Sequence, residues 1–92
     1  MNLVTNNYLD CSTAHITEND VKELEISAKQ SDPISYATNY GFHVMIRSGF
    51  EPTDRFSKAF KKIYNLCLEQ NISLIVFDCD ADKIEGLETF NW

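Results

Sequence analysis

The residues with the most capacity for chemistry lie near the two ends of this 92-residue chain. Asp78, Asp80 and Asp82 alternate directly behind the apolar run "LIVF" of residues 74–77. Carboxylates so spaced can share a divalent cation or divide the nucleophile and acid/base roles of phosphoryl transfer. The same residues also suit a strand that leaves the core through Asx-type turns into solvent. Near the other end, His15 follows Ser12 and Thr13. A Ser–His pair does acyl transfer only with an oriented acid and an oxyanion hole, and without them the imidazole serves to pack and fix a turn. Cys79, flanked by two aspartates, is a poor candidate nucleophile.

Known arrangements of such acids fit this stretch badly. A strand ending in Asp-x-Asp resembles the opening of haloacid-dehalogenase-type phosphatases. There the motif begins the fold, whereas here it closes the chain and leaves no residues for the later Lys and acidic motifs. Asp-x-Asp-x-Asp also opens an EF-hand loop, but the sixth position, which must be Gly, is Lys83, and the twelfth, a bidentate Glu, is Thr89. The three cysteines, Cys11, Cys67 and Cys79, match no zinc or CxxC spacing. The three glycines form no phosphate-cradling loop. The expectation is therefore no metal and no cofactor.

These side chains need elements to hold them. Residues 8–16 read as a first strand with an irregular exit. Thr17 and Asp20 make a capping box for a helix over about 18–30, with Val21, Leu24 and Ala28 on a thin apolar face. The "SDP" of residues 31–33 ends it, since the residue before proline avoids the α region. Asn39, Tyr40 and Gly41 suggest a hairpin turn between strands 34–38 and 42–47, the alternative being one long strand bulged at Gly41. Pro52, in the loop "SGFEPTD", suits the first turn of a second helix running to about Asn71. Phe56, Phe60, Ile63, Cys67 and Leu68 form its apolar stripe, and Arg55, Lys58, Lys61 and Lys62 make the one basic surface. The run "ISLIVFD" (residues 72–78) is a strand covered on one or both faces.

The order β-α-β-β-α-β predicts an α+β two-layer sandwich, ferredoxin-like or a close variant. The alternative is a small α/β unit with the first and last strands parallel. Only that alternative brings the exits "STAH" and "DCDAD" to one sheet edge, where α/β sites form. The tail "KIEGLETFNW" turns apolar again, with Gly86 permitting a tight turn, and the expectation is that it folds back so that Trp92 plugs the core.

Size and charge narrow the functions. The length suits one domain over residues 1–92, burying about 60–65% of its unfolded surface. Six Phe, four Tyr and one Trp are ample for a globular core. Fourteen acids against eight bases give a net charge of −6, which repels nucleic-acid phosphates and anionic membranes and favours a basic protein partner. No apolar run reaches the roughly 20 residues of a membrane span, and "MNLVTNNYLD" lacks the features of a signal peptide. Cysteines without a disulfide framework point to a cytoplasmic protein.

The segments "STAHITEND" and "FDCDADKIEGLETFNW", with "NYGFHV" between them, resemble a small uncharacterised bacterial domain family common on plasmids, prophages and integrated elements. Its pattern of an early Ser-Thr-Ala-His and a closing Asp-x-Asp-Ala-Asp, Gly-Leu and Trp falls here on Ser12, Thr13, Ala14 and His15, then Asp78, Asp80, Ala81, Asp82, Gly86, Leu87 and Trp92. Asn91 stands where that family tends to have Asp. The resemblance implies a context and no activity. By analogy, small acidic proteins on mobile elements often manage host defence or element regulation, and an inhibitor of a restriction or CRISPR nuclease would set its negative surface against a basic nucleic-acid groove.

Two functions emerge as expectations. The first is a non-enzymatic, acidic interaction protein in which Asp78, Asp80, Asp82, His15 and Glu85 are the candidate partner-binding residues, and Ser12, Thr13, Gly86, Leu87 and Trp92 support them. The second is a small enzyme or ion-binding domain in which His15 converges with the Asp78, Asp80 and Asp82 cluster. A free edge strand would also let two copies pair as a homodimer.

Overall fold

The computed structural model describes residues 3, 7–31, 33–47, 49 and 52–92. Strand β1 (Asn7–Ser12) leads through a 3-10 turn (Thr13–His15) into helix α1 (Glu18–Ala28). Strands β2 (Ser35–Ala37) and β3 (Gly41–Met45) follow, then helix α2 (Lys58–Glu69) and strand β4 (Ile72–Asp78). The predicted element order holds. The strand order is β1-β4-β3-β2, with β1 parallel to β4 and the other pairs antiparallel. The architecture is thus a two-layer sandwich on one mixed sheet, with the first and last strands as parallel neighbours, and not the ferredoxin strand order.

Both helices lie on one face of the sheet. Register places Cys11, Phe77 and Phe42 in one row and Leu9, Ile75 and Val44 in the next. These rows meet Leu24 of α1 and Phe60, Ile63, Tyr64 and Cys67 of α2 in one core. Phe60 is its hub, stacked between Phe56 at 4.3 Å and Phe77 at 6.1 Å between ring centroids. Tyr64, absent from the predicted stripe, is fully buried, and its hydroxyl accepts from the Arg47 backbone N–H and donates to the Arg47 carbonyl. Leu68 is only partly buried at the rim. Burial leaves the Cys11 thiol pushed up to about 12 and the Cys67 thiol up to about 11, so both are inert core groups.

The Thr17–Asp20 capping box forms as predicted. Helix α2 starts later than Pro52 would suggest, because Ser57 is its N-cap and accepts from the Phe60 N–H at 3.1 Å. A capping hydroxyl fixes a helix start more strongly than a proline that merely tolerates one. Of the loop preceding it, Ser48, Phe50 and Glu51 lie outside the described residues, as do Asp32 of the first helix stop and most of residues 1–6. Among the described residues, no helix is long and apolar enough to cross a membrane.

Gly41 joins β3 to β4 where no side chain fits. It pairs with Asp78, and a Cβ built on it would sit 2.1 Å from the Phe77 carbonyl oxygen. That neighbour is backbone of a central strand and cannot swing away. Gly41→Ala is expected to cost about 2 kcal/mol or more, lowering the thermal midpoint by about 10 °C. A midpoint equal to wild type would show that the backbone at the β3–β4 junction yields to a Cβ.

Candidate functional site

The parallel pairing of β1 and β4 has a direct consequence. Ser12 pairs with Asp78 at the last step of both strands, so their exits emerge side by side. The chain then turns: the Asp78 carboxylate accepts from the Asp80 N–H at 2.8 Å, and Cys79 N–H donates to the Tyr40 carbonyl at 2.9 Å. Around this turn Asp10, Asp78, Asp80 and Asp82 line an open concavity of about 440 Å³, with Ala81, Lys83 and Ile84 completing the wall. Asp10 is an addition to the predicted set. Its alternation with Ser12 on the neighbouring strand was visible in the sequence, but its partner strand was not. Asp78, Cys79 and Asp80 also offer ligand atoms within 4.8 Å of one another, and the thiol among them suits a softer ion such as Zn²⁺ better than Ca²⁺.

His15 does a different job. Its ring is 1% exposed. Nε2 faces the Ile84 N–H at 2.8 Å and must accept, so the proton sits on Nδ1, which donates to the Glu88 carbonyl at 2.8 Å. Both ring nitrogens are therefore taken by the chain's last segment, residues 83–92. His15 borders a small cavity with Lys58, Lys62, Ile63 and Glu88, separate from the one the aspartates line. The imidazole fixes no local turn of its own; it holds a strap that arrives from 69 and 73 residues away.

The strap is fastened along its length. Phe90 N–H donates to the Ala14 carbonyl at 2.8 Å, and the Trp92 indole N–H donates to the Ile16 carbonyl at 2.9 Å. Trp92 does not plug the core: it stays 56% exposed, and Ile84 and Leu87 are the residues that pack inward. The chain end lies beside the 3-10 turn, where the indole N–H satisfies a carbonyl while the ring stays largely exposed. Gly86, with φ of +92°, makes the turn that the sequence suggested. Glu85 and Gly86 border an apolar groove beside α2 with Leu9, Leu66 and Ile72, so Glu85 is not part of the acidic concavity. Ser12 caps the 3-10 turn, accepting from the Ala14 N–H at 3.1 Å. Thr13 begins that turn and is partly buried.

A residue whose role sequence reasoning understated is Asp20. It is 0% exposed. Its Oδ2 accepts from Thr17 N–H at 2.9 Å and from Ser57 Oγ at 2.6 Å, and its Oδ1 accepts from Ser57 N–H at 2.7 Å. One carboxylate thus ties the N-termini of α1 and α2 together, at the positive ends of both helix dipoles. The capping box was legible, and the second helix at its far side was not.

No curated protein and no solved structure matches the chain with significance. A family model described as the C-terminal domain of a family of unknown function, DUF5983, matches residues 8–92. From the first strand to the end of the strap, the chain belongs to that family.

Proposed function

We propose that this domain is a non-enzymatic interaction protein of a mobile genetic element, which sets its acidic exit against a basic protein surface. The carrying observation is the convergence of Asp10, Asp78, Asp80 and Asp82 on one open concavity. His15, at the exit of the neighbouring strand, has both ring nitrogens committed to the strap. A net charge of −6 adds long-range attraction for a basic partner. Among basic partners, the nucleic-acid groove of a defence nuclease fits this chemistry, because clustered carboxylates present charge where phosphates would lie. Such a protein would act as an anti-restriction or anti-CRISPR inhibitor.

The test is affinity capture from host lysate at low and moderate salt, with the wild-type chain and an Asp80→Lys, Asp82→Lys variant. Wild type should retain a specific basic protein, and the variant should bind it about tenfold or more weakly with a flatter salt dependence. Equal retention by the two chains, or no partner at either salt, would sink the reading. A divalent cation at Asp78, Cys79 and Asp80 is the competing reading, and heat of binding on titration with Ca²⁺ or Zn²⁺ would favour it.

A further inference from the structure

The face of the sheet turned away from the helices breaks a rule. A sheet with one face in solvent normally alternates apolar inward with polar outward. Here the outward residues of β4 include Leu74 and Val76. Strand pairing sets Leu74 between Tyr8 and Met45, and Val76 between Asp10 and His43, with Tyr36 beyond His43. Both helices and the strap pack into the core on the opposite face, and none of these outward residues belongs to that core. Tyr8 and Tyr36 are 61% and 50% exposed, and Leu74, Val76, His43 and Met45 are partly exposed.

The strip does not end in neutral solvent. The next outward residue of β4 after Val76 is Asp78, and Asp10 lies in the Val76 row. The apolar strip therefore runs straight into the acidic concavity. We propose that strip and concavity are one docking surface, and that its occupant is a basic amphipathic helix of a partner protein. The inference rests on the reading above that the acidic exit takes a basic partner, and it names the partner's form.

Charge and dimensions argue for this occupant. A helix about 10 Å across covers two to three strands spaced about 4.8 Å apart, the width of the β1–β4–β3 strip. Apolar residues at i, i+3 or i+4, and i+7 would lie over Leu74, Val76 and Met45. Lys and Arg gathered at one end would meet the four carboxylates, and the positive dipole end favours placing the helix N-terminus there. Exposed tyrosines at the margins are the residue type that interfaces enrich. With the second face covered, the sheet would gain helices on both sides, a standard layered arrangement.

The experiment uses the full ¹⁵N-labelled chain and a synthetic helical peptide with apolar residues at that spacing and Lys/Arg at its N-terminal end. Shift changes should map to Leu74, Val76 and Met45 and to the acidic exit. A scrambled peptide of the same composition should bind about tenfold more weakly. Met45→Glu and, separately, the exposed Tyr36→Ala should each weaken binding, the former about tenfold, with the thermal midpoint of Tyr36→Ala unchanged. If both strip variants bind like wild type while Asp80→Lys does not, the strip has no part in docking and this inference fails, though the acidic-exit reading stands. If Asp80→Lys also binds like wild type, both fail. A sedimentation-detected dimer abolished by Met45→Glu would assign the strip to a second copy and overturn the proposed occupant.

Discussion

Asp20→Ala is expected to be the most damaging single substitution among those considered, lowering stability by about 3–5 kcal/mol. The carboxylate accepts three hydrogen bonds from Thr17 and Ser57 in a fully buried site. Hydrogen bonds to a charged group contribute about 1.5–3 kcal/mol each, though not additively. Removing the carboxylate strands the Ser57 and Thr17 N–H groups at two helix starts together. A domain of this size has on the order of 5–15 kcal/mol to lose, so the thermal midpoint should fall by well over 10 °C. Asp20→Asn should rescue little, because its amide NH₂ would point a donor at donors. A double-mutant cycle with Ser57→Ala should show coupling above about 1 kcal/mol, since the two residues share two hydrogen bonds. A midpoint within about 2 °C of wild type would mean that the helix starts are held elsewhere.

The second large effect is at His15. A phenylalanine there would keep the ring's bulk and lose both nitrogens. The Ile84 N–H and the Glu88 carbonyl would lose their partners in a partly buried site. Each orphaned group costs about 1–3 kcal/mol, so His15→Phe should lower stability by about 2–4 kcal/mol. The more specific signature is local. Amide exchange at Ile84 and Phe90 should speed up more than at the β4 amides, because the strap detaches before the sheet opens. Deleting the last seven residues should also lower stability, since it removes the Leu87 packing, the Glu88 carbonyl that His15 bonds, and the Phe90 and Trp92 hydrogen bonds. Unchanged exchange protection at Ile84 in His15→Phe would mean that His15 does not anchor the strap. An unchanged midpoint on deletion would make the chain end a fringe.

Both effects concern contacts that join distant parts of the chain, and this divides what was legible from what was not. The capping box at Thr17, the apolar run of residues 72–78 and the turn before Gly41 announce themselves through neighbours within a few positions. Local sterics and local hydrogen bonds suffice to specify them, and α1, β3 and β4 fall where those signals lie. Helix α2 begins after Ser57 and not near Pro52, because Pro52 only permits a helix start, whereas Ser57 supplies a hydrogen bond to one. Tyr64 escaped the apolar stripe because its polar hydroxyl is satisfied by Arg47, a partner 17 residues away.

By itself the sequence determined the order of elements and the acidic character of the end of β4, and left open whether one sheet face or both would be covered. Whether β1 ran parallel or antiparallel to β4 was beyond it, since either pairing buries the same alternate residues and the periodicity is identical. Tertiary structure chose the parallel pairing, and with it brought Asp10 beside Asp78 and turned His15 from a candidate catalyst into the clasp of the strap. Those outcomes depend on where two segments more than sixty residues apart come to lie, and no local pattern of polarity encodes that distance.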